Sequence, residues 1–243
     1  DGSVSSAWED PANWTTISGS NMSNRIPAST DVAQFGQSVF TNQPVLSSNQ
    51  TIGLIEFGST QAAVVTISSG TLDNLGGIKG VWSAGASHTL DAGAGTLNVG
   101  TYLTLSDGIA GNDITLQIGS GNVTVNGALN QSATSAISFT GNGTLTINGN
   151  CNYTAGSFTA GTGTVVYTGS EAQIVAPVTY NNLSFTKTTS NALVNSPLTV
   201  NGNFTTGTGG EVFANSSVTI GGNVTLGANA GFNASGRGYT GRS

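Results

Sequence analysis

The side chains able to do chemistry in this chain are few, and their spacing limits what they can do. Beyond residue 70 the acids are Asp73, Asp91, Asp107, Asp113, Glu171 and Glu211, spread singly. A glycosidase or polysaccharide lyase needs carboxylates held together, for acid–base work or for Ca²⁺, often with Arg or Lys beside the substrate. Asp91 and Asp113 stand 22 residues apart, the one lateral pair a repeat of that length would set side by side. No basic residue accompanies them, and residues 114–170 contain no Asp, Glu, Lys or Arg. Gly108-Ile-Ala-Gly-Asn-Asp113 resembles one Ca²⁺-binding nonapeptide. Such arrays share each ion between successive turns, so a single copy completes no site. It is expected to be a loop turning on its glycines. These residues predict no catalytic group, no cofactor and no metal centre.

His88 is the only histidine and has no second ligand at metal spacing, so it is expected at the surface or in a turn. Cys151, also single, aligns by repeat with Leu103, Leu129, Phe204 and Val224, which predicts a small buried apolar residue and not a nucleophile. Thr124, Thr146, Thr199, Thr219 and Thr225 would point outward and could form a flat ladder for crystalline polysaccharide or ice, but Val166 and Asn98 interrupt the row. Tyr102, Tyr153, Phe158 and Tyr180 could stack on sugar rings, yet they form no single line.

The elements that must position these groups are short strands. Gly121-Asn-Val-Thr-Val-Asn-Gly127 returns as Gly143-Thr-Leu-Thr-Ile-Asn-Gly149 and Gly163-Thr-Val-Val-Tyr-Thr-Gly169, starting 22 and then 20 residues apart. Looser copies lie at Gly95–Gly100, Pro197–Gly202 and Ser217–Gly222. Strict alternation places Leu145 and Ile147 inside and Thr144, Thr146 and Asn148 outside. A period in the low twenties predicts a solenoid, with Val123, Leu145 and Val165 in one internal column and Val125, Ile147 and Tyr167 in the next. Glycine would end each strand at a turn of positive φ. Eight or nine rungs, at about 4.8 Å each, give a rod of roughly 40 Å.

The predicted fold is therefore all-β: a single-stranded parallel β-helix, or β-solenoid, taken as right-handed, with an irregular N-terminal capping segment. Residues 1–50, rich in Trp and Pro, form that cap; 51–228 form the solenoid; 229–243 are a Gly-rich tail without strand pattern. Only 7% of the 243 residues are charged, against roughly 25% in ordinary globular proteins, so Ser, Thr, Asn, Gln and Gly must cover the surface. With a net charge of -6 and five basic residues, nothing can neutralise a run of phosphates, which excludes nucleic acid as a partner. No stretch has the apolar length of a membrane helix, so no membrane insertion is expected. The chain opens at Asp1 without Met, which suggests a mature product or a fragment.

Gly161-Thr-Gly-Thr-Val-Val-Tyr-Thr-Gly-Ser-Glu-Ala-Gln-Ile-Val, then Thr179-Tyr-Asn-Asn-Leu-Ser-Phe-Thr-Lys187 and Leu198-Thr-Val-Asn-Gly-Asn-Phe204, resembles the β-helical repeats of large secreted surface proteins of Bacteroidetes-type bacteria. Trp8-Glu-Asp-Pro-Ala-Asn-Trp14, followed by Arg25-Ile-Pro27 and Asp31-Val-Ala, is similar to the segment that opens such β-helices and autotransporter-like passengers. The resemblance implies an extracellular or cell-surface protein with a structural or adhesive role; the scattered acids, for their part, predict no enzyme. Copies of the chain are the expected partner, assembled head to tail, with surface polysaccharide as a further one. Trp8 and Trp14 would lid one end. Val218, Ile220, Val224 and Leu226, in the last full strand pattern, would meet the next copy. A carbohydrate- or ice-binding solenoid is the second expectation and a polysaccharide-degrading enzyme the third.

Overall fold

A computed structural model describes residues 4–19, 24–187 and 190–235. The alternation read from the sequence holds: in Thr144–Ile147, Leu145 and Ile147 are buried while Thr144 and Thr146 keep partial exposure. A strand with one apolar row must bury that row, and short strands joined by tight corners do so by winding round a shared axis. Every strand pairing is parallel, each strand bonding to the one a full turn away, and every third strand falls on the same face. The described residues contain no α-helix, only one 3₁₀ turn at Pro11–Asn13.

Three faces enclose the core. The first is one unbroken nine-stranded sheet from Gln50–Ile52 to Val224–Thr225, so the solenoid has about nine turns. The second runs through six strands from Val32–Phe35 to Cys151–Tyr153, then resumes as four strands from Gln173–Ile174 to Gly231–Asn233. The third runs from Val45–Leu46 to Ser157–Thr159 and resumes from Thr179–Tyr180 to Val218–Ile220. The proposed columns are present on the first face: Val123 neighbours Leu145, which neighbours Val165, and Val125, Ile147 and Tyr167 lie beside them. The first column continues through Leu183 and Phe204 to Val224.

Three sequence expectations are corrected. Leu198–Val200 and Val218–Ile220 look like copies of the first-face motif but belong to the third face, where they pair with each other. Gly-x-Φ-x-Φ patterns suit any inward-facing strand, so the motif alone does not assign a face. Consequently Cys151 shares its column with Leu103 and Leu129, on the second face, and not with Phe204 or Val224. The boundaries also move outward. Val32–Phe35 already pairs with Leu54–Phe57, inside the supposed cap, and Gly231–Asn233 pairs with Glu211–Ala214, inside the supposed tail.

Motif glycines such as Gly121, Gly127, Gly143 and Gly149 are not at positive φ, contrary to the expected turn geometry. They are required by close approach. A Cβ on Gly127 would lie 1.6 Å from the Thr101 carbonyl oxygen, and one on Gly149 would lie 2.0 Å from that of Gly127. At these corners one rung's backbone rests directly on the next.

Where the second and third faces break, polar side chains take over from the backbone ladder. Gln173 is buried; its amide donates to the carbonyl oxygens of Ile147 and Gly149 and accepts from the Gly169 N–H at 3.1 Å. Lys187 is buried too, and its ammonium donates to the carbonyls of Gly169 and Glu171, both at 2.6 Å, and to Ser190 Oγ at 3.0 Å. A buried carbonyl without a donor is costly, so Gln173 serves the Gly149 carbonyl at the break, while Lys187, one rung further on, fastens a corner between strands that remain paired.

Candidate functional site

The six residues read from the sequence as assembly contacts fall at the two ends of the rod. At the first end the chain enters as a partial strand: Ala7 bridges Val45, and the Trp8 N–H donates to the Val45 carbonyl at 2.9 Å. This entry is fastened by Glu9, whose carboxylate accepts the N–H groups of Ser47 and Ser48, each at 2.7 Å. Trp8 is buried, its ring 4.9 Å from Trp14 and 5.5 Å from Phe35, and the Trp14 indole donates to the Trp8 carbonyl at 2.8 Å. The tryptophans thus close the core from within. Beside them a cleft of about 600 Å³ opens along the edge of Val32–Phe35, which among the described residues has a strand neighbour on one side only.

Among the described residues the other end is uncapped. Val218 and Ile220 pack partly against the core, whereas Val224 is 48% exposed, Leu226 45% and Phe232 40%. Their neighbours one rung earlier, Phe204 and Val212, are 0% exposed. Phe232 stacks on Phe204 at 5.2 Å and ends an aromatic ladder that runs through Phe185 to Tyr167. The sequence reading missed Phe232 because a lone apolar residue between Gly231 and Asn233 shows no alternation.

The acids singled out for chemistry are not brought together, whereas of the four aromatics Phe158 and Tyr180 meet, their rings 5.5 Å apart. Asp91 pairs laterally with Gln117, while Asp113 lies beside Ser87 and accepts from Thr134 Oγ1 at 2.7 Å. The offset arises because the turn between these rungs is longer than 22 residues: Asp91 to Gln117 spans 26. Asp107 turns its own loop, accepting from the Ile109 N–H and from the Asn112 amide at 2.9 Å each. Among the described residues no three His, Cys, Asp or Glu side chains stand close enough to hold a metal ion. The outward threonines divide between two faces: Thr124 and Thr146 are neighbours on the first, Thr199 and Thr219 on the third.

His88 is not at the surface. It is 2% exposed in the strand Ala86–Asp91, with Nδ1 accepting from the Ala63 N–H at 3.1 Å and Nε2 2.7 Å from the Gly58 carbonyl. Those partners fix the tautomer with its proton on Nε2. Burial lowers the imidazole pKa, against smaller upward pulls from the Gly58 carbonyl and the Asp113 carboxylate. Because the folded value lies below the unfolded one, His88 takes up protons preferentially on unfolding, and stability falls as pH drops below about 6.5. Melting the wild type and His88→Gln from pH 7 to pH 5 checks this. The wild type should lose more of its melting temperature over that range than the variant, and equal losses would refute the assignment.

Cys151 is half-buried rather than fully buried as expected; it lies beside Tyr167, and the burial of its thiol pushes the pKa up to about 11, the Tyr167 hydroxyl acting against that shift. Tyr167 in turn sits 3.0 Å from the Tyr180 hydroxyl, which donates to the Ala176 carbonyl at 2.9 Å. A thiol so placed is almost wholly protonated at neutral pH, so it should label with maleimide far more slowly in the native state than after unfolding. Cys151→Ser should cost less than about 1 kcal/mol, because the new hydroxyl finds Tyr167 as a partner. Rapid native labelling would contradict this placement.

Comparison of the chain with family models, with curated proteins and with solved structures finds no match in any of the three. Among the described residues no helix is long and apolar enough to cross a membrane.

Proposed function

We propose that this chain is an extracellular structural or adhesive β-solenoid whose rods stack head to tail into a filament or a stretch of surface adhesin. The observation that supports this reading is the last rung, uncapped among the described residues. Core-column side chains at Val224, Leu226 and Phe232 stay exposed where their predecessors are fully covered. Unpaired strand edges and uncovered core at a solenoid end must be capped or must recruit another chain. A contact between two different ends does not close on itself and so propagates. Sparse charge, 7% of residues, leaves little repulsion between rods. The extracellular setting rests on the resemblance of the repeats to secreted bacterial surface proteins.

Sedimentation velocity over a concentration series, with electron microscopy of the same samples, tests the proposal. The wild type should grow in mass and show rods longer than one molecule, whereas Leu226→Asp/Phe232→Asp should stay monomeric. A wild type that remains monomeric at the highest concentration would overturn it.

A second reading, recognition of a polysaccharide or ice surface, draws on the first face. There Thr96, Asn122, Thr144 and Thr164 form an outward row beside Thr124 and Thr146. Pull-down on insoluble polysaccharides and an ice-recrystallisation assay with Thr144→Lys/Thr146→Lys test it; no binding by the wild type would dismiss it.

A further inference from the structure

The two ends of the rod offer matching strand edges on the second face. The second face begins with Val32–Phe35, whose neighbour Leu54–Phe57 occupies one edge and leaves the other facing the cleft beside Trp14. The same face ends with Gly231–Asn233, paired among the described residues on one edge only, to Glu211–Ala214. Both strands run parallel to all others on the face, so the free edge of one presents the groups a parallel partner needs at the free edge of the other.

The strand order agrees. The chain passes from the third face at Val218–Ile220 to the first at Val224–Thr225 and the second at Gly231–Asn233. A following copy enters on the third face at Ala7, which already bridges that face's first strand, and reaches the second at Val32–Phe35. Winding therefore continues in phase from one copy to the next.

Side chains agree as well. With Gly231 opposite Val32, Phe232 faces Ala33, a large inward residue against a small one, and Ala234 faces Phe35, the reverse. Ala33 and Phe35 are already covered on their inner side, with the Trp8 and Trp14 rings against Phe35, so the incoming Phe232 and Ala234 pack on the outer side of that closed layer. On the outer surface Asn233 comes opposite Gln34. Each already donates one amide N–H to a carboxylate behind it, Asn233 to Glu211 at 2.8 Å and Gln34 to Glu56 at 2.9 Å. An amide carries a second N–H and an acceptor oxygen, so Asn233 and Gln34 can bond to each other while keeping those partners.

We propose that a second copy of this chain occupies the N-terminal cleft by strand addition: its Gly231–Asn233 pairs in parallel with Val32–Phe35, in the register Phe232 opposite Ala33 and Asn233 opposite Gln34. This rests on the end-to-end reading above and fixes the face and register on which it operates. The test is cysteine cross-linking of the full chain in a Cys151→Ser background, with sedimentation of the same samples before oxidation. Gln34→Cys/Asn233→Cys should give a covalent ladder of dimers, trimers and higher species, because lateral neighbours on parallel strands lie within disulfide reach. Gln34→Cys/Thr225→Cys, which puts the second thiol on the first face, should give at least tenfold less. If the samples sediment as polymers and only the Thr225 pair cross-links, or neither does, this register is wrong while end-to-end stacking stands. If they sediment as monomers, stacking itself fails and the register with it.

Discussion

Gly127→Ala should destabilise the rod by about 3 kcal/mol or more, a larger effect than most single core truncations. The added methyl would meet the carbonyl oxygen of Thr101 at 1.6 Å and its carbonyl carbon at 2.4 Å. Those are backbone atoms of the preceding rung, which cannot swing aside as the end of a side chain can. Relief requires the two rungs to part, and the Ala128 N–H bond to that same Thr101 carbonyl, 3.0 Å long, is what would be strained. Gly108→Ala is the control. Gly108 has φ +95° but open space around its Cβ position, so only backbone strain is incurred, about 1 kcal/mol. Urea denaturation of both variants gives the comparison. If Gly127→Ala proved the milder of the two, rung-on-rung contact would not be the reason these corners are glycine.

Lys187→Met should cost about 3 kcal/mol, although the substitution keeps a long apolar stem in place. What disappears is the donor to three oxygens at once: the carbonyls of Gly169 and Glu171 and Ser190 Oγ. Ser190 Oγ lies within reach of the same two carbonyls and can serve only one, which leaves either the buried Gly169 oxygen or the exposed Glu171 oxygen without its protein donor. The site also has a pH signature. Burial brings Lys187 down to about 8, the Glu171 carboxylate pulling weakly the other way. The unfolded amine titrates near 10.4, so between those values the unfolded chain binds more protons and stability rises with pH. Chemical denaturation at pH 7.5 and pH 9.5 should show a gain for the wild type that Lys187→Met lacks. A variant as stable as the wild type, or one with the same pH slope, would remove Lys187 from this role.

Lys187 and Gln173 also mark where sequence reading stops. Both look like ordinary polar residues of a loop-rich stretch, and nothing in their spacing announces a broken ladder. The role of Gln173 follows from the second face breaking between Cys151–Tyr153 and Gln173–Ile174, and that of Lys187 from the next corner, where the Gly169 and Glu171 carbonyls meet its ammonium. His88 is the same kind of case. A single histidine among Ser and Thr suggests surface, and only the lateral approach of the Gly58 and Ala63 backbone turns it into a buried bridge.

The sequence alone determined the class of fold. Alternation with period two forces one apolar row per strand, and a recurrence of 20 to 22 residues forces those rows to stack, which placed Val123, Leu145 and Val165 in contact. The tertiary structure decided which face each motif occupies, because a Gly-bounded strand carries no label for its side of the prism and the turns vary in length. It decided why the corners are glycine: the restriction comes from the neighbouring rung and not from local φ. It decided as well that the two ends differ, one closed on Trp8 and Trp14, the other exposing Phe232. Exposure at an end depends on what stacks above, and that is a property of the assembled rungs which no single segment of sequence contains.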